Sequence, residues 1–179
     1  VMRLKVRHEP FSVAIETDEP TNEKGQRVWY DAAWNHGEIL AETPGFLGSL
    51  VGRLSLDPEG DLALENRRHP ITDIGLLRLV EQAEESFFAS RHESRIARVR
   101  GFAADLGGRP TEMLEVVVPR ELPDSALLHR FGFDDESRLL VYYALAELLA
   151  DGPAVVEEYL YRDVHLAAGL TDADFRPPE

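Results

Sequence analysis

Two alternating stretches near the start of the chain constrain its fold more than any other feature. Residues 2–8, "MRLKVRH", place apolar side chains at every second position, and residues 11–17, "FSVAIET", repeat that period. Because successive side chains of a strand point to opposite faces, each stretch predicts a half-buried β-strand. Further short runs, the last of them "LALEN" at 62–66, continue to residue 68 between polar turns. The first third of the chain is therefore predicted to be an antiparallel β portion.

A change of period marks residues 72–91. Apolar residues there recur three or four positions apart, at Leu76, Val80, Ala83 and Phe87. This spacing places them on one face of a helix, so the sequence predicts one amphipathic helix after the β portion.

Residues 94–118 allow two interpretations. Ile96, Val99 and Leu106 fit a helical period, whereas "SRIARVRGF" also has the composition of a strand. The glycine pair that precedes "RPTE" is a strong turn signal beside the β-branched run "MLEVVVP". The prediction for this region is a β-hairpin.

The last third of the chain has the pattern of helices. "ALLHRFGF", residues 126–133, predicts a short helix that stops at Gly132. "ESRLLVYYALAELLA", residues 136–150, follows two aspartates suited to cap it and ends at an Asp-Gly pair. "AVVEEYLYRDVHLAA", residues 154–168, begins after a proline. The two longer segments predict an antiparallel helical pair joined by a tight turn.

Together these patterns predict an α+β fold. Its parts in chain order are an N-terminal antiparallel β portion, one amphipathic helix, a β-hairpin and a C-terminal antiparallel helical pair. The predicted division is a core domain at residues 1–120 and a helical extension at 121–179 packed on it. A chain of 179 residues is long enough to bury a core of this kind.

Composition restricts the function classes. No cysteine is present, which excludes disulfides, thiolate metal sites and cysteine nucleophiles. Acidic residues number 33 against 19 basic ones, giving a formal net charge of −14. Such a surface repels phosphate backbones and anionic lipid, so neither nucleic acid nor membrane is an expected partner. The sequence has neither a long apolar run nor a leader-like segment, and the expected location is the cytoplasm.

The histidines and serines show no recognised catalytic or metal-ligand spacing. His36 and Glu38 in "NHGE" form a pair with ligand or acid/base chemistry, and a turn between strands is the simpler interpretation. "FLGSLVG" lacks the G-x-S-x-G pattern, and no Walker or G-x-G-x-x-G phosphate loop occurs. The sequence therefore predicts no catalytic residues, no cofactor and no metal.

An aromatic set is the best candidate for a partner surface. Trp29, Tyr30 and Trp34 lie close together, and Phe46 and Leu47 occupy an apolar, glycine-containing loop soon after. Tryptophan and tyrosine are favoured at interfaces because they bury a large area and keep a polar group. Burial in the core is the alternative interpretation of the same residues.

One stretch resembles part of an enzyme superfamily. "MLEVVVPRELPDSALLHRFGF", residues 113–133, resembles the late strand and helix of the GCN5-related N-acetyltransferases, and "LVGRLSLDPEGD", residues 50–61, looks like their central hairpin. The resemblance implies binding of acetyl-CoA through a glycine-containing loop at a helix N-terminus. The nearest text, "RHESRI" at 91–96, has serine and isoleucine at the positions of the family's small residues.

A second resemblance points to assembly. "PGFLGSLVGRLSLDPEGD", residues 44–61, is followed by the predicted helix and by "RIARVRGF" and "GRPTEMLEVVV". This order resembles the lysozyme-like baseplate wedge family of contractile phage tails and injection machines. The resemblance implies a non-enzymatic assembly protein.

The sequence favours a non-catalytic structural or assembly protein that acts through protein–protein contacts in a larger complex. Its expected partners are protein subunits of the same or a larger assembly, which would place it in the cytoplasm or in a virion or other particle. The alternative is an N-acetyltransferase of the GCN5-related superfamily that uses acetyl-CoA. The aromatic set leaves a small-ligand-binding domain as a third possibility.

Overall fold

The structure is a computed structural model, and the chain divides into two compact units. One unit comprises Val1–Gly75 with Leu166–Glu179, and the other comprises Leu76–His165. The structure describes residues 1–44, 52–65, 68–92, 96, 98–120 and 126–178, except for the side chains of 83 and 86–92.

The first unit is built on a five-stranded antiparallel sheet, called sheet 1. Its strands follow chain order and are β1 (Met2–His8), β2 (Phe11–Thr17), β3 (Arg27–Asp31), β4 (Ile39–Glu42) and β5 (Arg53–Leu56). The pairing of Leu4 with Ile15 and of Val6 with Val13 keeps the apolar side chains of β1 and β2 on one face. The strand predicted for "LALEN" is wrong, because residues Asp61–Leu64 form the short helix α1.

One face of sheet 1 forms the hydrophobic core of this unit. Val13 and Ile15 of β2 pack with Tyr30 of β3, Ile39 of β4 and Ile71. The alternation that predicted β1 and β2 therefore has its physical cause in this buried face.

The carboxy-terminal segment contacts the same unit through a 3-10 turn at Asp172–Phe175, which lies against β2 and β3. Phe175 is fully buried, and the guanidinium carbon of Arg7 lies 4.8 Å from the centre of its ring. Arg7 also donates to the carboxylates of Asp172 at 2.6 Å and of buried Asp31 at 3.3 Å. This far end of the chain is therefore an integral part of the first unit.

The second unit contains a long helix and a second five-stranded antiparallel sheet, called sheet 2. The helix, α2, spans Leu76–His92 and contacts β9. The sheet order is β10-β9-β8-β7-β6, with β6 at Arg98–Asp105, β7 at Pro110–Pro119, β8 at Ala126–Asp134, β9 at Leu140–Leu149 and β10 at Gly152–Leu160. Pairing of β6 with β7 confirms the predicted hairpin.

The predicted α+β fold class is wrong, because the described chain is mostly β and the predicted C-terminal helical pair is absent from it. The first segment lies mostly in strand β9, and the second lies in strand β10 as far as Leu160. A continuous apolar run occurs both in buried helices and in strands that are covered on both faces. β9 is an inner strand of sheet 2, between β8 and β10, and apolar clusters lie on both faces of that sheet. The Asp151-Gly152 signal belongs to a hairpin turn, and Pro153 lies in an edge strand, where a missing N–H is tolerated.

The short helix predicted for "ALLHRFGF" is also wrong, since these residues belong to β8. Gly132 is needed there for close packing rather than for ending a helix. A Cβ atom at this position would lie 2.9 Å from Cβ of Tyr142, 3.0 Å from Sδ of Met113 and 3.1 Å from Cγ2 of Thr111. These side chains come from the strands on either side of β8, so the glycine lets three strands pack tightly.

Sheet 2 has apolar clusters on both of its faces. On one face Leu79 of α2 packs with Val116, Phe131 and Leu140. On the other face a separate cluster groups Val117, Leu128 and Ala146. This two-sided burial explains why the sequence of β7 to β9 lacks a simple alternation.

Candidate functional site

Of the predicted partner surface the structure describes Trp29, Tyr30 and Trp34, and it does not expose these three as one patch. Trp29 and Tyr30 are neighbours on β3, so they point to opposite faces of sheet 1, and both are buried. Trp34 is half-buried, with the guanidinium carbon of Arg176 5.7 Å from the centre of its ring. Phe46 and Leu47 lie outside the described residues. A role for these residues in partner binding stays a prediction.

The His36–Glu38 pair belongs to a tight turn between β3 and β4. Asn35, His36 and Gly37 have positive φ angles of 51°, 57° and 73°. The Asn35 side chain donates to the hydroxyl of Ser55, which in turn donates to the carboxylate of Glu38. These bonds hold the turn against β5, and no group of three or more metal-ligand side chains occurs among the described residues.

Sheet 2 carries a row of aromatic rings across three adjacent strands. Phe131 of β8 pairs with Tyr143 of β9, and Tyr143 pairs with Tyr159 of β10. The ring centres are 5.4 Å apart in the first pair and 6.5 Å apart in the second. We call Phe131, Tyr143 and Tyr159 the aromatic row. It runs from a buried ring to one that is 37% exposed on the last strand of the sheet.

His129 lies two residues before Phe131 on β8, on the same face of sheet 2 as the aromatic row. Its Nδ1 atom lies 3.2 Å from the hydroxyl of Tyr143. Burial lowers the pKa of His129, an effect that the charge of Glu157 partly offsets. Burial, with the charges of Glu157 and Tyr159, raises the pKa of Tyr143 to about 12. Both groups are therefore uncharged at neutral pH, and their contact orients the rings without placing a charge in the sheet.

The opposite face of sheet 2 carries a row of charged residues, one position along the strands from the aromatic row. Successive strand pairings join Arg100, Glu115, Arg130, Ala144 and Glu158, which we call the charged row. Arg130 donates to the buried carboxylate of Glu115 at 2.8 Å.

Tyr142 extends the polar contacts of the charged row to β10. Its hydroxyl donates to the Glu158 carboxylate at 2.8 Å. Burial and that carboxylate raise the pKa of Tyr142 to about 12, which keeps the hydroxyl protonated as a donor.

The two ends of the charged row lie on the two edge strands of sheet 2. Arg98 and Arg100 of β6 are exposed, and neither forms an ion pair within the described part of the chain. At the other edge, β10 carries Glu157 and exposed Glu158. One edge of the sheet is therefore basic and the other acidic.

Both edges of sheet 2 also expose apolar side chains. Val99 of β6 is 53% exposed, and Val155 and Leu160 of β10 are 59% and 37% exposed. The sequence interpretation missed the β10 edge because residues 154–168 were predicted to be helical. The signal that identifies it is the β-branched and aromatic content of "AVVEEYLY" directly after a turn.

Comparison with known proteins assigns the chain to a family. Among the described residues, no helix is long and apolar enough to cross a membrane. A search of curated proteins and a search of solved structures found no match. The model of the family described as "Protein of unknown function (DUF1571)" matches residues 1–179. The chain therefore belongs to the DUF1571 family.

Proposed function

We propose that this protein is a non-catalytic structural or assembly protein that acts through protein–protein contacts in a larger complex. One observation supports the proposal most strongly, namely that both edge strands of sheet 2 expose apolar side chains beside charged ones. An edge strand presents a row of backbone N–H and C=O groups that a further strand can bind. Main-chain hydrogen bonds then provide affinity, and the flanking side chains provide specificity.

The β10 edge is shielded over its first half only. Pro153 removes a backbone donor, and the pairing register with β9 shifts between Val155 and Glu157, which marks a bulge. Both features are devices that block strand addition. From Glu157 to Leu160 the pairing is regular and Tyr159 and Leu160 are exposed, so this half is suited to a partner.

The partners in this proposal are protein subunits of the same or a larger assembly. The formal net charge of −14 disfavours nucleic acid and anionic membranes, because both are themselves negatively charged. The protein then acts in the cytoplasm or as a component of a particle.

Light scattering tests the proposal on the purified full chain, alone and with any subunit that co-purifies. The expected result is a mass above the 20.1 kDa of one chain, or a defined complex with that subunit. The variant Val99→Glu should weaken this association, whereas Leu62→Glu, which alters a 72% exposed residue on α1, should not. A strict monomer with no co-purifying subunit overturns the proposal.

The acetyltransferase alternative is tested with the same sample. Its sequence basis was the strand and helix expected in residues 113–133, with the hairpin-like residues 50–61, and the helical part of the first stretch lies in β8. A ligand that binds only the folded chain raises the melting temperature by mass action. We expect no increase at millimolar acetyl-CoA, and a clear increase would favour the enzyme over the assembly protein.

A further inference from the structure

The two edges of sheet 2 differ in charge in a way that bears on how copies of this chain associate. Pairing β10 with β10 of a second copy brings exposed Glu158 near its own equivalent. Pairing β6 with β6 does the same for Arg98 and Arg100. Like charges opposite each other in a sheet are destabilising, so two-fold edge pairing is disfavoured at both edges.

We propose that β6 of one copy pairs with the second half of β10 of the next copy, so that sheet 2 continues from copy to copy. This inference rests on the proposed function, and it names the partner as a second copy of this chain. Opposite charges then meet at every junction, because the edge that carries Arg100 adjoins the edge that carries Glu158.

The direction of the pairing follows from the topology. Each strand of sheet 2 is antiparallel to its neighbours, so β6 and β10, which are separated by three strands, run in the same direction. A second copy added in the same orientation therefore places its β6 parallel to β10. Contact between two different surfaces of identical chains gives a ring or an open filament rather than a closed dimer.

The register of the junction follows from the rows of paired residues that run straight across sheet 2 from β6 to β10. The charged row begins at Arg100 and ends at Glu158, and successive pairings likewise join Phe102 to Leu160. Continuing these rows places Arg100 beside Glu158 and Phe102 beside Leu160 on one face. On the other face it places Gly101 beside Tyr159, where the exposed ring of the aromatic row covers a glycine.

The side chains at this junction suit the contact. The guanidinium carbon of Arg100 lies 4.8 Å from the centre of the Phe102 ring, so the charge and the ring are presented together. Tyr142 donates to one oxygen of Glu158, and the carboxylate can still accept from a guanidinium. The bulge and Pro153 confine the pairing to residues 157–160, opposite 99–102 of the next copy.

Charge reversal tests the inference in the full chain by sedimentation velocity over a range of concentrations. Arg100→Glu and Glu158→Arg should each raise the dissociation constant for self-association by about tenfold or more. The double variant, and a 1:1 mixture of the two single variants, should both recover association, because every junction again joins opposite charges. Lys24→Glu, on an exposed loop of the first unit, is the control and should behave like the wild type.

Circular dichroism and urea unfolding of each variant separate loss of association from loss of folding. Folded single variants that associate as strongly as the wild type overturn this inference and leave the proposed function standing. Binding of a different subunit by a chain that does not self-associate has the same consequence. A monomeric wild type without any partner overturns both.

Discussion

The two sheets treat the charges on their edge strands differently. In sheet 1 the basic residues of β1 and β5 are paired within the unit, Arg3 with Asp18, Lys5 with Asp174 and Arg53 with Glu42. In sheet 2 the arginines of edge strand β6 form no ion pair within the described residues. Sheet 1 thus pairs these basic edge residues internally, whereas in sheet 2 the arginines of β6 are left without an ion pair among the described residues.

This difference is the basis of the proposed association through the edges of sheet 2. Charged side chains on an edge strand disfavour the addition of a strand with like charges and favour one with opposite charges. On β6, Arg98 and Arg100 form no ion pair within the described residues, and they flank exposed Val99, so this edge can accept a strand that carries acidic residues. We call an edge closed where its basic residues form ion pairs within the unit, and open where its arginines form none within the described residues.

The largest expected effect concerns the segment that completes sheet 1. Phe175→Ala removes a fully buried ring that lies beneath the Arg7 guanidinium. Truncations of buried phenylalanine cost about 4 kcal/mol of unfolding free energy, and urea unfolding measures the loss. The Arg7 side chain should then become more exposed, and its ion pairs with Asp31 and Asp172 should weaken.

Leu166→Ala is the matched control for that experiment. Leu166 lies at the start of the same segment and is 69% exposed, so its truncation should change the unfolding free energy by less than about 0.5 kcal/mol. Equal effects of the two variants would contradict the assignment of this segment to the first unit.

A second prediction concerns the interior of sheet 2, whose stability should not depend on its edges. Gly132→Ala places a methyl group within 3.1 Å of side chains from β7 and β9, and overpacking of this kind costs about 2 kcal/mol. Gly101→Ala is the control at a protein concentration too low for self-association, because the atom nearest its added Cβ within the chain is a carbonyl oxygen 3.8 Å away. If the two alanines are tolerated equally in thermal unfolding, the three strands do not pack as described.

A smaller effect should appear in the pH dependence of stability. Burial lowers the pKa of His129 in the folded protein, so in mildly acidic solution the unfolded chain binds a proton that the folded chain does not. The unfolding free energy should therefore fall as the pH drops below about 6.5, the ordinary histidine value. His129→Gln should reduce this slope between pH 7 and pH 5, measured by urea unfolding.

The exposed residue His165 provides the comparison for that measurement. His165→Gln controls for the exchange of a histidine for glutamine at an exposed position. An unchanged slope in the His129→Gln variant would show that His129 does not enter the balance of protons between the folded and unfolded chain.

The sequence predicted the half-buried strands and misjudged the covered ones, for a physical reason. In β2 one face packs on the core and the other carries polar residues, so the period of two is visible at Val13 and Ile15. In β9 Leu140 packs in the cluster on one face of sheet 2 and Ala146 in the cluster on the other face, so the period of two is lost. The Asp151-Gly152 turn then resembled the end of a helix.

The candidate surface was harder to predict than the fold. Trp29 was predicted to lie in a partner surface because it is a rare aromatic residue. Its burial depends on which face of sheet 1 is covered by the rest of the unit. The edges of sheet 2 depend on the order of five strands. That order simply follows the chain, each strand pairing with the next, but it becomes visible only once β8, β9 and β10 are known to be strands and not helices.

Hydrogen–deuterium exchange at several protein concentrations tests the central claim most directly. If sheet 2 is open and sheet 1 is closed, backbone amides of β6 and of residues 157–160 should become more protected as the concentration rises. Amides of β1 and β5 should keep the same exchange rates throughout. Concentration-dependent protection at β1 or β5, or none at β6 and β10, would contradict the account.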